Sequence, residues 1–218
     1  MSLNKLKSDI IEIGKLLHQK NFVASNDGNL SIRYNDKILI TPTCTSKGFL
    51  TFDDIVEIDL EGNILKGIKE PTSEMLMHLT IYNFRNDINA ICHAHPIYST
   101  AYAITGKSLS KKVLPEVIIS LHEIPLVKYS TPGTKELSKK LIPYVKKYDA
   151  LLLENHGALT LGKDLWEAYY KMETVEHFAK ILFVAKQLGK VKELNSKEVK
   201  KLIAQREKFG VRKDIGKN

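Results

Sequence analysis

The hydrophobic residues at the beginning of the chain recur at intervals of three or four positions. Leu6, Ile10, Ile13 and Leu17 follow this spacing, and mostly polar residues stand between them. A helix brings such positions onto one face, so the pattern predicts an amphipathic helix that buries one side. We predict further helices after residue 71, at 98–104, around 137–141, at 165–188 and after residue 195.

Other segments alternate between apolar and polar residues, or are apolar throughout, as strands do. Residues 30–33 and 38–40 flank the polar turn 34–37 and predict a hairpin. The remaining predicted strands are residues 55–60, 64–65, 90–95, 117–119, 126–129, 150–156 and 158–161. Helices flank these strands and no linker or repeat divides the chain. We therefore predict one layered α/β domain with a mainly antiparallel sheet over residues 1–210, followed by a basic C-terminal tail at 211–218.

The composition restricts the class of protein. The chain has 218 residues, of which 43% are hydrophobic and 27% are charged, as in a soluble globular domain. Its apolar runs are too short to cross a bilayer, and its first residues lead into an amphipathic helix rather than an apolar signal sequence. The two cysteines, Cys44 and Cys92, provide no disulfide framework. We therefore expect a cytoplasmic protein that does not bind membranes.

Much of the net charge of +8 lies after residue 185, where lysines are frequent and aromatic residues are nearly absent. Nucleic-acid binding requires basic residues on one face with aromatic residues between them. This segment lacks the aromatic residues, so we interpret it as a solvated helix face followed by a tail and expect no nucleic-acid partner. A positive chain also attracts anionic substrates.

Two histidines close one predicted strand, and a third closes another. His93 and His95 are two residues apart, which places both imidazoles on the same face, whereas Cys92 points to the opposite face and is assigned to the core. His156 ends a second apolar strand and precedes a glycine. Together with Glu74 at a predicted helix start, three histidines and a carboxylate describe a catalytic zinc site.

A less specific interpretation remains open for these residues. A single His-x-His pair is a weak signal, because its histidines can also face solvent. Against this, the surrounding strand is apolar, and a buried imidazole requires a partner. His18 and His177 lie in predicted helices and are assigned structural roles, and His122 is unassigned. His78 lies one helical turn after Glu74 on the same helix and could face the site. A residue at such a position usually serves helix packing, and we assign this role to His78.

Three loops present small residues, hydroxyl groups or backbone N–H groups. The residues concerned are Gly28, Asn29, Thr43, Cys44, Thr72 and Ser73. Such groups favour an anion, above all a phosphate, although each loop alone is also compatible with an ordinary turn or cap. Thr72 is the predicted N-cap of the helix that follows it. The sequence contains no Walker motif and no Gly-x-Gly-x-x-Gly motif, so it implies no nucleotide.

These residues stand in segments that resemble the class II aldolase/adducin family. The matching segments follow the family's order and are residues 24–31, 40–43, 71–74, 93–96, 129–134 and 155–157. Within the family, the chain is most similar to aldolases that act on L-fuculose 1-phosphate. The resemblance implies a three-layer αβα fold, in which a central and mainly antiparallel sheet lies between layers of helices. It also implies a homotetramer with active sites at subunit boundaries.

The resemblance assigns roles to individual residues. It implies that His93, His95 and His156 bind one Zn²⁺ per subunit. Glu74 is implied to be a metal ligand when substrate is absent and the proton carrier during the reaction. The phosphate of the substrate is implied to contact Gly28, Asn29, Thr43, Cys44, Thr72 and Ser73.

The implied reaction is the reversible cleavage of a ketose 1-phosphate, either L-fuculose 1-phosphate or a related deoxypentulose phosphate. Its products are dihydroxyacetone phosphate and a short aldehyde. A carboxylate that leaves the metal for an apolar pocket has a raised pKa, and we expect this of Glu74.

Two positions depart from the pattern of the fuculose-phosphate aldolases. Glu116 stands near the position of a tyrosine that reaches the site from a neighbouring subunit and serves as the acid for the aldehyde oxygen. It is either a replacement proton donor or a surface carboxylate. Phe209 occupies the position of an aromatic residue near the C-terminus of the family that closes over the site. As a phenylalanine, it has no hydroxyl group.

Other activities of the family remain alternatives on the same site. They include methylthioribulose-1-phosphate dehydratase and ribulose-phosphate 4-epimerase, since both also begin with a metal-bound carbonyl compound. A non-catalytic binding module of the adducin type is a remote alternative, because it predicts the loss of histidines that this chain retains.

Overall fold

A computed structural model describes residues 2–211, so residues 212–218 of the predicted tail lie outside the described residues. The α-helices of the described part are α1 (Leu3–Gln19), α2 (Met75–Phe84), α3 (Ile97–Ile104), α4 (Pro115–Ser120), α5 (Lys135–Val145), α6 (Leu165–Leu188) and α7 (Ser196–Ala204). Its strands are β1 (Asn29–Tyr34), β2 (Lys37–Ile40), β3 (Val56–Asp59), β4 (Ile64–Lys66), β5 (Ala90–Ala94), β6 (Leu126–Val127), β7 (Ala150–Leu153) and β8 (Gly157–Gly162). Among these helices, none combines the length and the apolar character that crossing a bilayer requires.

The strands form one sheet in the order β4-β3-β2-β1-β5-β8-β7-β6. Neighbouring strands are antiparallel, except for the parallel pair of β6 and β7. The predicted, mainly antiparallel sheet is therefore confirmed. β5 lies in the middle of the sheet, where His93 is opposite Asn29 of β1 on one side and opposite Leu159 of β8 on the other.

Helices cover both faces of the sheet because its central strands carry apolar side chains on both faces. In β7, Leu152 belongs to the core beneath α1, α3, α4 and α6, whereas Leu151 belongs to a second core beneath α2 and α5. A strand buried on both faces loses the alternation of apolar and polar residues and becomes a continuous apolar run. The arrangement is a three-layer αβα fold, as the sequence predicts.

One predicted strand is wrong. Residues 117–119 lie within α4, and Pro115 occupies the first turn of this helix. Proline is favoured at a helix start, because its fixed φ angle suits the helix and its missing N–H group would have no partner there. Val117 and Ile118 are buried, so this β-branched run packs on the core without joining the sheet.

Three further details of local structure differ from the predictions. Thr72 is not the N-cap of α2, because the helix begins at Met75 and Glu74 occupies the cap position. The Thr72 hydroxyl instead accepts a hydrogen bond from the backbone N–H of Glu74 at 3.3 Å. The strand predicted at 126–129 ends at Val127, and His156 lies in the turn between β7 and β8.

A carboxylate of α6 caps the beginning of α3. Glu176 is buried and accepts hydrogen bonds from the backbone N–H groups of Tyr98 and Ser99, both at 2.8 Å. The residue at the N-cap position is Pro96, whose side chain has no hydrogen-bond acceptor. Because His95 immediately precedes this proline, Glu176 also fixes the direction of the chain directly after the second histidine.

Replacing Glu176 by glutamine should lower the free energy of unfolding by about 1–3 kcal/mol, because one carboxylate oxygen is replaced by an N–H₂ group that faces buried N–H donors. Urea unfolding followed by Trp166 fluorescence measures this change. The exposed Glu12→Gln substitution in α1 is the control and should change the free energy by less than about 0.5 kcal/mol. Equal stability of both variants and the parent would disprove the capping role.

Candidate active site

Three histidines meet at one end of the sheet, because β5 and the hairpin of β7 and β8 are neighbours. His93 lies in β5, His95 directly follows this strand, and His156 lies in the hairpin turn. The register places Ala94 opposite Ala158, which brings the turn beside the end of β5. Segments that are about sixty residues apart in the chain thus contribute to one group.

The three imidazole rings turn the same nitrogen atom towards a common centre. Nε2 of His93 lies 3.2 Å from Nε2 of His156 and 3.1 Å from Nε2 of His95. The ring of His93 donates its Nδ1–H group to the carbonyl oxygen of Ala158 at 2.9 Å. In a neutral imidazole, this hydrogen bond leaves Nε2 without a proton, so its lone pair points to the centre. The group is therefore arranged to surround a proton or a cation.

The carboxylate of Glu74 closes another side of this group. Its Oε2 atom lies 3.1 Å from Nε2 of His93, and its Oε1 atom lies 3.5 Å from Nε2 of His156. Oε2 also accepts a hydrogen bond from the side-chain amide of Asn29 at 2.9 Å. Oε1 is buried and has no hydrogen-bond partner among the described residues. The two oxygens of one carboxylate therefore differ, since a donor holds Oε2 and none holds Oε1.

The surroundings shift the pKa of all four groups. Burial lowers the pKa of His93, but the Glu74 carboxylate and the carbonyl oxygen of Ala158 outweigh this effect, so its pKa lies above its ordinary value. Burial raises the pKa of the Glu74 carboxyl, but His93, His156 and Asn29 together outweigh this effect, so the pKa lies well below its ordinary value. Burial lowers the pKa of His95 to about 4, and it lowers the pKa of His156 to about 4 as well. Near pH 7 the carboxylate is thus ionised and these two imidazoles are neutral, as metal ligands must be. The raised pKa expected of Glu74 belongs to a carboxylate that has left a bound metal, so it stays a prediction.

The close approach of the hairpin to β5 requires a glycine after His156. A Cβ atom at Gly157 would lie 2.5 Å from Cδ2 of His95 and 2.6 Å from the carbonyl oxygen of Ala94. Both distances are far shorter than ordinary van der Waals contact, so any larger residue would displace the second histidine or the end of the strand. Gly157 therefore sets the distance between the two ligand-bearing segments.

The histidines border a pocket with a volume of about 310 Å³. All six residues predicted to contact a phosphate line this pocket together with Glu74, His95 and His156; they are Gly28, Asn29, Thr43, Cys44, Thr72 and Ser73. The structure thus brings the three predicted loops and the histidine group to the same cavity.

The loops offer hydroxyl groups more than backbone N–H groups at two of these positions. The backbone N–H of Thr43 donates to the carbonyl oxygen of Glu70, and that of Thr72 donates to the carbonyl oxygen of Thr41. These two donors are therefore engaged within the chain. The same threonines and Ser73 line the pocket and each carries a hydroxyl group; that of Thr43 faces Sγ of Cys44 at 3.8 Å, and that of Thr72 accepts from the Glu74 N–H group.

A buried lysine beside the pocket belongs to no motif that the sequence analysis singles out. Lys47 is only 1% exposed, and its Nζ atom donates hydrogen bonds to the carbonyl oxygens of Asn26 and Thr45. Burial lowers its pKa to about 8. Lys47 brings a positive charge to the wall of the pocket and ties two loops together. The polar segment 41–48 has no hydrophobic periodicity from which this burial could be inferred.

Two residues considered from the sequence lie elsewhere in the chain. Glu116 is exposed at the beginning of α4 and lines a separate cleft with Tyr170 and His177. Phe209 is 64% exposed. Within one chain, the structure therefore does not place Glu116 at the pocket of the histidines. Cys92 lies in the core, as predicted.

The donor set fits a divalent cation. Ligand atoms of His93, His95 and His156 lie within 4.8 Å of one another, so the three residues could hold a metal ion. Three imidazoles beside an open cavity are the pattern of catalytic zinc sites, in which substrate or water takes the remaining position. The buried and unpaired Oε1 atom of Glu74 supports this fit, because a cation at the centre would satisfy its charge.

Comparison with known families agrees with this geometry. The family model described as the Class II Aldolase and Adducin N-terminal domain matches residues 8–183, which include the three histidines and Glu74. This chain belongs to the class II aldolase and adducin family. Class II aldolases use a divalent metal, which agrees with the group formed by His93, His95 and His156.

Two curated relatives in the class II aldolase and adducin family carry different names. An L-fuculose phosphate aldolase of Methanococcus maripaludis is 42% identical over 181 residues, which cover 83% of this chain and 98% of that protein. A 3-oxo-tetronate 4-phosphate decarboxylase of Haemophilus influenzae is 30% identical over 201 residues, which cover 90% of this chain and 95% of that protein. Membership of the family therefore does not by itself select the reaction.

A solved structure of an L-fuculose 1-phosphate aldolase is similar over nearly its whole length. Its TM-score is 0.88 at 32% sequence identity, and the match covers 96% of this chain and 98% of that one. The three-layer fold with a central sheet is thus shared with a class II aldolase.

Replacing His156 by alanine should abolish retention of a divalent metal, because a catalytic zinc site depends on all three protein ligands. Elemental analysis after gel filtration should find about one equivalent per chain in the parent and less than about a tenth of that in the variant. The exposed His177→Ala substitution in α6 is the matched control and should retain the metal. Full retention by the His156 variant would refute the site.

Acidification should destabilise the metal-free protein through His78, which burial keeps neutral by lowering its pKa to about 3. In the unfolded chain this imidazole titrates near its ordinary value of about 6.5. Between these values the unfolded state binds one proton more than the folded state. The free energy of unfolding therefore falls by about 1.4 kcal/mol per pH unit as the pH decreases.

Urea unfolding at several values between about pH 6 and pH 4 measures this slope. The His78→Gln variant cannot take up the proton, so its slope should be shallower by about 1.4 kcal/mol per pH unit. Identical slopes for parent and variant would show that His78 does not contribute.

Proposed function

We propose that this protein is a zinc-dependent aldolase that reversibly cleaves a ketose 1-phosphate. The substrate is L-fuculose 1-phosphate or a related deoxypentulose phosphate, and the products are dihydroxyacetone phosphate and a short aldehyde. The observation that carries the proposal is the convergence of three histidines and Glu74 at the wall of a pocket lined by hydroxyl-bearing loops. Similarity to aldolases named for L-fuculose phosphate supports the choice of substrate.

Zinc is the proposed metal, because three imidazole nitrogens with an open position are typical of its catalytic sites. When bound, such a cation acts as a Lewis acid that polarises the carbonyl group of a substrate. The chain itself aims one of these ligands and keeps the other two neutral. The carbonyl oxygen of Ala158 fixes the ring of His93, and burial holds the pKa of His95 at about 4.

Glu74 is the proposed proton carrier. Cleavage of a carbon–carbon bond leaves an electron pair on the carbon next to the carbonyl group, and this carbon must take up a proton. A positioned carboxyl group transfers such a proton, and in the synthetic direction it removes one. The Oε1 atom of Glu74 supports this role, because it is buried at the wall of the pocket without a hydrogen-bond partner among the described residues.

The proposed phosphate subsite consists of the three loops on the other side of the pocket. Its residues are Gly28, Asn29, Thr43, Cys44, Thr72 and Ser73. Hydroxyl groups donate hydrogen bonds to phosphate oxygens, and the nearby cation of Lys47 favours an anion at this place. The side chain of Asn29 is engaged by Glu74 and His78, so the hydroxyl groups supply most of the side-chain donors.

We further propose a homotetramer in which Glu116 acts at the site of a neighbouring subunit, as the acid for the aldehyde oxygen. Two observations support an assembly. Glu116 is exposed beside the outer face of α6 rather than directed at the histidines of its own chain. The same helix exposes Phe183 and Leu188 to 46% and 85%, and exposed apolar side chains mark contact surfaces when they cluster.

Decarboxylation of 3-oxo-tetronate 4-phosphate is the second candidate. Relatives with this name are 30% and 31% identical to the chain. The same groups serve this reaction, because it also leaves an electron pair next to a carbonyl group of a phosphorylated compound. Carbon dioxide then departs in place of the aldehyde.

Zinc-loaded protein should condense dihydroxyacetone phosphate with lactaldehyde, and a chelator should abolish the reaction, because the carbonyl group is then no longer polarised. Replacing Glu74 by glutamine should lower kcat by about 10²- to 10⁴-fold, the usual contribution of proton transfer. Chromatography of the ketose phosphate measures both effects. The exposed Glu70→Gln substitution is the matched control and should leave kcat unchanged.

Other outcomes of the same assay separate the candidates. Release of carbon dioxide from 3-oxo-tetronate 4-phosphate without aldol condensation would replace the aldolase by the decarboxylase. Turnover of methylthioribulose 1-phosphate or of a ribulose phosphate alone would assign the dehydratase or the epimerase. A metal-loaded protein inert towards all of these compounds would refute the proposed function.

A further inference from the structure

A stripe of polar side chains runs along the buried face of α2 and its preceding residue. Glu74, His78 and Tyr82 are four residues apart, so they lie above one another on the same side of the helix. They face Asn29 and Ser31 of β1, which are two residues apart and lie on the same side of the sheet. All five side chains are buried, and none is more than 7% exposed.

These side chains form one continuous chain of hydrogen bonds. The hydroxyl groups of Tyr82 and Ser31 lie 2.7 Å apart, and the Ser31 hydroxyl lies 2.6 Å from Nδ1 of His78. Nε2 of His78 lies 2.6 Å from Oδ1 of Asn29, and the amide nitrogen of Asn29 donates to Oε2 of Glu74 at 2.9 Å. This row of hydrogen bonds therefore connects Tyr82 to the carboxylate of Glu74, which lies beside the three histidines.

The carboxylate at one end sets the direction of every donor. An ionised carboxylate accepts hydrogen bonds only, so Asn29 must turn its N–H₂ group towards Glu74 and its oxygen towards His78. The oxygen can only accept, so His78 carries its proton on Nε2 and accepts at Nδ1 from Ser31. Ser31 in turn accepts from Tyr82. With this orientation each member is satisfied, whereas a flipped amide would place two acceptors against each other.

We propose that His78 is a positioning residue of the proposed reaction: it orients the amide of Asn29 so that a donor holds Oε2 of Glu74 and leaves Oε1 as the atom that moves the proton. This inference rests on the proposed function, in which Glu74 carries the proton. Oε2 is occupied by the amide, while Oε1 is buried without a hydrogen-bond partner in the described part of the chain. Without His78, Glu74 alone selects the orientation of the amide, and no donor holds the Asn29 oxygen in its place.

Two amide substitutions distinguish this role from packing alone. The amide of glutamine reaches about as far as Nε2 of histidine, and that of asparagine about as far as Nδ1. His78→Gln can still donate to Asn29, whereas His78→Asn keeps a partner for Ser31 and loses the donor to Asn29. We expect kcat of the glutamine variant within about tenfold of the parent and that of the asparagine variant about 100-fold lower, since misplacement by about 1 Å costs this much.

The KM for dihydroxyacetone phosphate should change less than kcat in the asparagine variant, because His78 does not line the phosphate pocket and Asn29 is one of six residues in the proposed phosphate subsite. Tyr169→Phe is the stability control, because it removes a buried hydroxyl that bonds to Glu173 away from the pocket. It should leave kcat unchanged. Equal losses of kcat in the two His78 variants, or losses confined to KM, would overturn the proposal.

A second measurement does not depend on activity. Nitrogen NMR of histidine-labelled, metal-free protein should show His78 as the neutral Nε2–H tautomer, and His78→Asn should remove this signal. An Nδ1–H tautomer or an imidazolium near pH 7 would overturn the inference. If the protein has no aldolase activity but His78 shows the Nε2–H form, then the proposed function fails and the orientation of Asn29 stands.

Discussion

Imidazole nitrogens that face each other at 3.1 and 3.2 Å are the interaction on which the rest of this structure depends. Nitrogen atoms at this distance require a proton or a cation between them, so the surrounding chain must hold the rings in place. Several contacts outside the rings do so. The register of β5 and β8 aligns the two ligand-bearing segments, the carbonyl oxygen of Ala158 fixes one ring, and Glu176 caps the helix that follows His95.

The two sides of the sheet serve different purposes near this group. The side beneath α1, α3, α4 and α6 supplies the larger apolar core, in which buried polar residues such as Asp9, Thr160 and Glu176 stand at separate positions. The side beneath α2 contains the buried polar row of Asn29, Ser31, His78 and Tyr82. A fully satisfied row of this kind permits one arrangement of its donors and acceptors, whereas apolar packing tolerates small shifts. Polar side chains are therefore placed where orientation matters, and apolar ones where only burial is required.

The sequence predicts the parts of the site that depend on local geometry. Alternation along a strand is enough to place His93 and His95 on one face with Cys92 on the other, and the structure agrees for the burial of Cys92. The meeting with His156 depends on the pairing of β5 with β8, a contact between distant segments that no local pattern specifies. Residue type and the position at a strand end suggest adding His156 to the pair, and the resemblance to a known family supports that link.

Local sequence patterns also give wrong predictions where tertiary packing determines the structure. The β-branched run at 117–119 has the composition of a strand, but Pro115 starts a helix there and the core accepts either element. The sequence places His78 one helical turn after Glu74, but the polar stripe that continues to Tyr82 is recognised only with β1 beneath it. Lys47 is buried because two loops fold over it. Hydrophobic periodicity does not predict such burial.

The filled space behind the second histidine has a mechanical consequence. Because a Cβ atom at Gly157 would lie 2.5 Å from Cδ2 of His95, this ring cannot move towards the hairpin when the occupant of the centre changes. Glu74 is held at Oε2 by the amide of Asn29, while its Oε1 atom has no hydrogen-bond partner among the described residues. A change of occupant is therefore met at Oε1 of the carboxylate rather than by a movement of His95 towards Gly157.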